Sequence, residues 1–261
     1  MARKYTWDHT VDFVNDLDAA ERTFADAGLT AKYGGKHVGH GTENALAYFG
    51  VNYVEFLTLY SKEEASAESR DTGLIYTDAA DLLPEHEGFY RHGVRVNNIE
   101  ERAEELHAKG IETGPIVPGN RTTADGKEIR WKLLWIVRDS KAGDDQPRYP
   151  FLLDWLEDEP THAATLESSG LLHRHAIGEV TTRRAVWQVP DPDAVSARFS
   201  EVFEFPRTPG AEPGTFDLET GDGLTWHFEA GDRNGIAALE FSAPEGKSFD
   251  VTVGGARFRS L

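Results

Sequence analysis

The chain carries the same local pattern three times: a strand, an amphipathic helix that begins at a polar residue, and a series of further strands. Helical periodicity covers residues 16–28, 98–110 and 191–203, and strand-like runs precede it at residues 5–14, 89–97 and 180–189. In the first helix Leu17, Ala20 and Phe24 share one face, and Asp16 has the character of an N-cap. A repeat of this length constrains the fold more than any local motif does.

Several strands follow each helix. They are predicted at residues 29–37, 43–49 and 52–60, then 111–117, 128–137 and 149–156, and finally 214–220, 224–230, 236–242 and 248–259. The repeating unit is therefore βαβββ, with an extra strand at the C-terminus. Two such units side by side complete a curved cup of about eight strands backed by helices. The sequence predicts an α+β fold, with a paired module over residues 1–160 and a third related module over residues 161–261.

The third unit has no evident partner within the chain. Its last strand alternates Phe249, Val251 and Val253 with polar residues, which predicts one apolar face. A second copy placed across a two-fold axis would cover that face in both chains at once. We therefore expect a homodimer through this unit, although packing of its sheet against the first cup would also cover the apolar face.

A glycine-rich stretch from His37 to Gly50 brings two imidazoles, a hydroxyl and an amide directly before a strand-like run. That run, residues 51–57, carries one carboxylate, Glu55, among apolar neighbours. Burial of a carboxylate costs free energy unless it is paired or bound to something. The pattern therefore indicates a polar pocket that contains Glu55.

The composition excludes several classes of function. There are 45 acidic residues against 27 basic ones, a formal net charge of −18, which opposes binding to nucleic acid. The absence of cysteine excludes disulfides, zinc–thiolate sites and thiol nucleophiles. No GxxxxGK[ST] loop and no GxGxxG before a helix is present, so a nucleotide cofactor is not expected. The N-terminus lacks a signal-like apolar run and no stretch reaches membrane-spanning length, so we expect a cytoplasmic protein without membrane contact.

The acidic, lysine-poor composition is typical of proteins from a salt-rich cytoplasm, and an ordinary acidic protein from a GC-rich genome is the alternative. If the first interpretation holds, the melting temperature should rise as KCl increases from about 0.1 M to molar levels, because salt screens carboxylate repulsion. Calorimetry over that range measures this. A melting temperature that stays flat or falls contradicts a halophilic origin.

The order and spacing of the motifs resemble the glyoxalase-like domain family of the vicinal oxygen chelate superfamily, which includes glyoxalase I, extradiol dioxygenases and bleomycin-resistance proteins. The motifs of the first module are Asp8-His9, Asp16-Leu17-Asp18, Gly41-Thr42-Glu43-Asn44-Ala45-Leu46 and Tyr53-Val54-Glu55-Phe56-Leu57. Those of the second are Pro118-Gly119-Asn120-Arg121, Asp125-Gly126, Arg130-Trp131-Lys132-Leu133-Leu134 and Pro150-Phe151-Leu152-Leu153-Asp154-Trp155. The resemblance covers residues 5–157 well and the third unit loosely.

The resemblance implies that the cup can hold a divalent metal by side chains from the first and fourth strands of each module, and the alternative is a protein without a cofactor. Carried over by position, the metal ligands are His9, Glu55 and Asp154. Alignment of the helix starts places Arg91 opposite His9, and His92 reaches the cup only if a bulge shifts its strand by one residue. Three such ligands with water would hold Mn, Fe, Ni or Zn.

Further residues are candidates for binding and catalysis. Thr42 and Asn44 would form a polar wall of the pocket, or else cap backbone groups of a hairpin. Arg121 and Arg130 would clamp a carboxylate or phosphate, or serve as ordinary ion-pair partners. Trp131 would line the cup.

His40 and Glu55 are the candidate groups for proton transfer. Adjacent strand residues point to opposite faces, so Asp8 is not expected to orient His9. The leading hypothesis is an enzyme of the lyase, isomerase or dioxygenase-like type that acts on a small oxygenated metabolite, with any metal polarising a carbonyl or enediolate oxygen. The alternative is a binding protein that sequesters a small molecule without turnover, and a third possibility is an interaction module.

Overall fold

The computed structural model describes residues 4–122, 128–142, 146–168, 170–221 and 223–261, without the side chains of residues 121, 122 and 128. The first half contains β1 (Tyr5–Phe13), α1 (Leu17–Asp26), β2 (Lys32–His37), β3 (Thr42–Phe49), β4 (Asn52–Leu59), α2 (Lys62–Ala67), α3 (Leu74–Leu82), β5 (Gly88–Val96), α4 (Ile99–Ala108), β6 (Ile111–Thr113), β7 (Val117–Thr122), β8 (Glu128–Leu134), β9 (Ile136–Asp139), β10 (Phe151–Asp154) and α5 (Glu159–Ser168). The second half contains β11 (Thr181–Val189), α6 (Pro192–Phe203), β12 (Arg207–Pro209), β13 (Phe216–Gly221), β14 (Leu224–Ala230), β15 (Gly235–Ser242), β16 (Asp250–Val253) and β17 (Ala256–Ser260).

The first half forms one eight-stranded sheet in the order β2-β3-β4-β1-β5-β10-β8-β7. Within it, β1 runs parallel to β4, β5 runs parallel to β10, and β1 and β5 pair antiparallel to join the two modules. The side chain of Asp16 caps α1 by accepting from the backbone N–H of Ala19, as the sequence indicated. The predicted α+β fold with an eight-stranded cup is confirmed.

The second half repeats the first with a shift of 175 residues, the separation of Leu17 and Pro192, which begin α1 and α6. Its seven strands follow the order β12-β13-β14-β11-β15-β17-β16. The register shifts fall at equivalent places: Trp7/His9 and Val11/Asp12 between β1 and β5, and Thr182/Arg184 and Val186/Trp187 between β11 and β15. The third unit therefore has a partner in the chain, since β15, β17 and β16 take the positions of β5, β10 and β8. The expectation of an unpartnered third unit is wrong.

The two sheets share one hydrophobic core that α1 and α6 complete. Phe258 of β17 packs against Phe24 of α1 and Phe89 of β5, with ring centroids 5.0 and 5.1 Å apart. Phe249 and Val253 are buried in the same core. The apolar face of the C-terminal strands is thus covered within the chain. The homodimer was expected because this face needed a cover, so it stays a prediction without that argument.

His92 lies in this core and not in the cup. Its ring stacks on Trp226 at 4.9 Å and contacts Trp7 and Trp187, while Nδ1 lies 2.8 Å from the hydroxyl of Thr10. Burial lowers the pKa of His92 well below its ordinary value. No bulge carries this side chain to the cup.

Helices cover the concave face of the first sheet. Leu74 and Ile75 of α3 pack on Val11 and Leu57, and Leu166 of α5 belongs to a second cluster on the same sheet. Both helices lie between the helices of the repeating units, α3 before α4 and α5 before α6. Within the described ranges, no helix is long and apolar enough to cross a membrane.

Candidate functional site

Glu55 lies near the middle of β4, on the concave face of the first sheet. The side-chain amide of Asn44 donates to its Oε1 at 2.7 Å. His9 Nε2 is 3.8 Å from Oε2, and His37 Nε2 is 4.0 Å from Oε1. The Glu55 side chain is 12% exposed. A carboxylate, two imidazoles and an amide therefore face one point in the cup, and we refer to these four residues as the cup site.

Asp8 orients His9 directly. The Oδ1 atom of Asp8 is 2.8 Å from His9 Nδ1, and its Oδ2 accepts from the indole N–H of Trp155 at 3.1 Å. Burial opposes the charge of Asp8, but the hydrogen bond with His9 and the charges of His9 and Arg95 outweigh it and lower the pKa. The expectation that Asp8 cannot orient His9 is wrong, because the bulge between Trp7 and His9 breaks the alternation of faces.

The imidazole of His9 lies over the backbone of Gly93 in β5. A Cβ atom at Gly93 would be 2.4 Å from His9 Cε1, so no other residue type leaves room for this ring. Tyr53 stacks on the opposite side at 4.4 Å, and the edge of Phe151 is in contact at 5.4 Å. These contacts fix the plane of the imidazole and point Nε2 towards Glu55.

His37 is a site residue that the sequence-based site assignment missed. It pairs with Thr42 across the end of the β2–β3 hairpin, and its Nδ1 lies 2.8 Å from the Thr42 hydroxyl. Thr42 thus reaches the site through His37, and Asn44 contacts Glu55 directly. His37 could have been identified from the pairing of the hairpin, because residues that pair across two strands share a face and His37 pairs with Thr42.

Asp154 does not join His9 and Glu55. Its Oδ2 accepts from the backbone N–H of Ile99 at 3.1 Å, and its Oδ1 accepts from that of Leu156 at 2.9 Å. The side chain therefore caps the start of α4, on the face opposite to Leu153, which packs in the cup. The assignment of Asp154 as a metal ligand is wrong.

His40 lies beside Glu68 and not beside Glu55. Its Nδ1 is 2.8 Å from Glu68 Oε1, its ring stacks on Tyr76 at 4.6 Å, and its side chain is 45% exposed. The Tyr76 ring also contacts His37 at 5.8 Å. The structure places His40 at the rim of the cup.

The remaining predicted binding residues are on the second module. Trp131 packs on Trp155, which binds Asp8, with ring centroids 5.8 Å apart, so it belongs to the wall of the cup. Arg130 is exposed on the opposite face of β8, the face from which Lys132 reaches Glu100 of α4. The structure does not bring Arg130 to the cup site. The Arg121 side chain and the Asp125-Gly126 motif lie outside the described residues.

The residues present do not fit a resident metal. The first residues of α1 and α4 are 82 positions apart, which makes Arg91 the counterpart of His9, and the β1/β4 and β5/β10 registers then make Phe151 the counterpart of Glu55. The second module therefore places Arg91 and Phe151 where the first has His9 and Glu55. In the part of the chain that the structure describes, no group of three or more His, Asp or Glu side chains is arranged to hold a metal.

Comparisons with known proteins agree with this fold. A family model described as "Glyoxalase-like domain" matches residues 7–203. A structure of a hypothetical protein from Staphylococcus aureus is 18% identical, over 98% of this chain and 99% of that chain, with a TM-score of 0.83. The Mn(II)-bound glyoxalase from Novosphingobium aromaticivorans is 11% identical, over 100% and 83%, with a TM-score of 0.57. A mutant of 4-hydroxymandelate synthase from Streptomyces coelicolor is 10% identical, over 99% and 92%, with a TM-score of 0.60. No match was found among curated proteins.

Proposed function

Because the chain belongs to the glyoxalase-like domain family, we propose that it binds a small oxygenated metabolite in the first cup and moves a proton on it. The observation that carries the proposal is the position of Glu55, whose carboxylate is fixed by Asn44 on one oxygen and faces His9 with the other. Paired acid and base groups at one point are what proton transfer next to a carbonyl requires. The reaction class is an isomerase or lyase.

The two groups have complementary roles. Asp8, whose pKa is lowered, accepts the hydrogen bond from His9 Nδ1–H, which leaves Nε2 as the ring nitrogen directed into the cup. Glu55 Oε2 lies 3.8 Å from that atom, beyond hydrogen-bond distance, so a ligand hydroxyl and its neighbouring carbon can face one group each. A compound with a hydroxyl or oxo group next to a carbonyl matches this pair.

The surroundings limit the size of the ligand. Side chains of α3 and α5 occupy much of the concave face, and His9 is only 3% exposed. His37, whose side chain is 26% exposed, lies on the open side of the cup site. A ligand of a few carbon atoms fits this arrangement better than a large one.

Sequestration without turnover is the second candidate function, and the burial of His9 favours it because a closed site retains its ligand. Binding alone does not need Glu55 to exchange a proton. The three titratable side chains of the cup site, His9, His37 and Glu55, do not form one of the groups that could hold a metal among the described residues, so no step of the proposal depends on Mn, Fe, Ni or Zn.

Binding is tested by saturation-transfer NMR with a panel of small 2-hydroxy and 2-oxo carbonyl compounds, with and without a chelator. We expect at least one compound to bind at millimolar concentration or below and to bind equally after chelation, because the site's own side chains hold it. Loss of binding on chelation that added Mn²⁺ or Zn²⁺ restores would contradict the metal-free proposal. A panel without a single binder would contradict the proposed ligand class.

A further inference from the structure

The seven-stranded sheet of the second half, which we call the second cup, carries a charged cluster on the face that corresponds to the concave face of the first sheet. Glu240 of β15 is at its centre, with a side chain that is 1% exposed. Arg184 of β11 donates through Nε to Glu240 Oε2, and Arg259 of β17 donates through Nε to Oε1 at 2.8 Å and also through Nη2. Both arginine side chains are 35% exposed. The cluster therefore joins a buried carboxylate to two guanidinium groups that reach solvent.

This cluster occupies the same strand positions as the cup site and its surroundings. The two halves share their register shifts, so each position in one sheet has a counterpart in the other. The counterparts of His9, Tyr53, Glu55, Gly93 and Phe151 are Arg184, Thr225, His227, Glu240 and Arg259. At the position where Gly93 leaves room for the His9 ring, Glu240 places a carboxylate that pairs with Arg184. The second cup thus has its own chemistry at the place where the first has its site.

The guanidinium groups retain unused donors. Among the described residues, both Nη atoms of Arg184 and Nη1 of Arg259 make no hydrogen bond, and the hydroxyl of Thr225, the strand neighbour of Arg184, makes none either. Burial opposes the charge of Glu240, but its bonds to the two arginines lower its pKa. The cluster therefore carries a net charge of about +1 in a strongly acidic protein.

The helix of the second half packs away from the cluster. α6, the helix of residues 192–203, packs on the opposite face, where Phe199 contacts Trp187 and Phe228. Across the described part of residues 181–261 no helix lies over Arg184 and Arg259.

We propose that the second cup binds an oxyanion group, the carboxylate or phosphate of a small metabolite, between Arg184 and Arg259. Glu240 holds both guanidinium planes in place, so little side-chain entropy is lost when an anion accepts from the remaining N–H groups. Planar, fork-like donors match the spacing of two oxygens on one carboxylate or phosphate. This inference goes beyond the function proposed for the first cup and does not depend on it.

The test is an NMR titration of the arginine Nε–Hε resonances of the full chain. The probes are inorganic phosphate and acetate, added in separate arms at constant ionic strength against chloride. We expect saturable shifts at Arg184 and Arg259, and none at Arg257, which lies on the same face but is paired through two bonds with Asp250. Saturation by phosphate alone assigns a phosphate site, and saturation by acetate assigns a carboxylate site. Shifts that are linear in both arms, or equal at all three arginines, overturn the proposal.

Variants give a second, independent readout. Arg184→Gln should weaken binding of the better probe by about tenfold, because one charged donor pair is lost. The matched control Arg257→Gln should leave the affinity unchanged. Arg259→Lys retains the positive charge beside Glu240 but loses the planar set of guanidinium N–H donors. This variant should therefore also bind the probe more weakly while remaining folded. Unchanged affinity in both Arg184→Gln and Arg259→Lys contradicts the assignment.

Discussion

Replacing Glu55 with glutamine is expected to slow exchange of the carbon-bound hydrogen of a bound ligand by about 10²–10⁴-fold, the usual contribution of general acid–base catalysis. Glutamine keeps the shape of the side chain and can still accept from Asn44 through its amide oxygen. It has no carboxylate to take or return a proton. Binding should therefore change by only a few fold, and exchange, followed by NMR in D₂O, should change far more.

Glu43→Gln is the matched control for this variant. Glu43 is the neighbour of Asn44 on β3, but its carboxylate accepts from the hydroxyl of Tyr33 on the other face of the strand. Exchange in this control should equal that of the wild type. If Glu55→Gln exchanges at the wild-type rate while it still binds the ligand, Glu55 is not the proton-transferring group. If the wild type and Glu55→Gln both bind the ligand and neither exchanges its carbon-bound hydrogen, sequestration is the function.

Asp12→Asn is expected to raise stability at about pH 8 by roughly 1–3 kcal/mol, the equivalent of about one to two pKa units, because asparagine is neutral and needs neither a buried charge nor a captured proton. Asp12 is 0% exposed in β1, and neither of its carboxylate oxygens has a hydrogen-bond partner among the described residues. Burial raises the pKa of Asp12 well above its ordinary value, the nearby Glu87 adds to the shift, and Arg233 opposes it. The wild-type protein must therefore hold a proton here or bury a charge.

The gain should depend on pH in a defined direction. Since the folded-state pKa of Asp12 is raised, its contribution to stability is intact below the unfolded value of 3.8 and is lost as the pH rises through the folded value. Asparagine does not titrate. The difference in melting temperature between Asp12→Asn and the wild type should be near zero at about pH 3.5 and grow towards about pH 8.

The control for this prediction is Asp71→Asn, an exposed aspartate in the turn before α3. Its melting temperature should follow that of the wild type at every pH. Thermal unfolding followed by circular dichroism gives both comparisons. A variant Asp12→Asn that is less stable than the wild type at about pH 8 would show that the ionised carboxylate is stabilised by a contact that the structure lacks.

The sequence predicted the features that depend on local pattern. The periodicity of residues 16–28, 98–110 and 191–203 located α1, α4 and α6, and the strands between them located the cup and the face on which Glu55 lies. Repeats are readable because each unit needs the same alternation of apolar residues to bury its face. Asn44 and Thr42 could be named as candidates because they lie in a glycine-rich polar stretch directly before a strand-like run.

The errors have different physical sources, and two of them concern the face on which a strand residue lies. The bulge at Trp7/His9 turns Asp8 to the same side as His9, and no sequence signal marks it. Asp154 was assigned to the cup although strand alternation after Leu153 turns it away. In α5 the buried positions include His162 and Thr165, so no apolar stripe reveals the helix. The strands β15, β16 and β17 form a fourth unit, the counterpart of the second, and it escaped notice because they follow one another without a helix.

The most direct test of the central claim is hydrogen exchange in a ligand that binds the first cup. The wild-type protein is mixed in D₂O with a bound 2-hydroxy or 2-oxo carbonyl compound, and the signal of the hydrogen on the carbon next to the carbonyl is followed by NMR. The account predicts loss of that signal at a rate that rises with protein concentration, falls in Glu55→Gln and is unaffected by a chelator. A compound that binds the cup and keeps its hydrogen at the rate of a protein-free sample, for every binder in the panel, would contradict it.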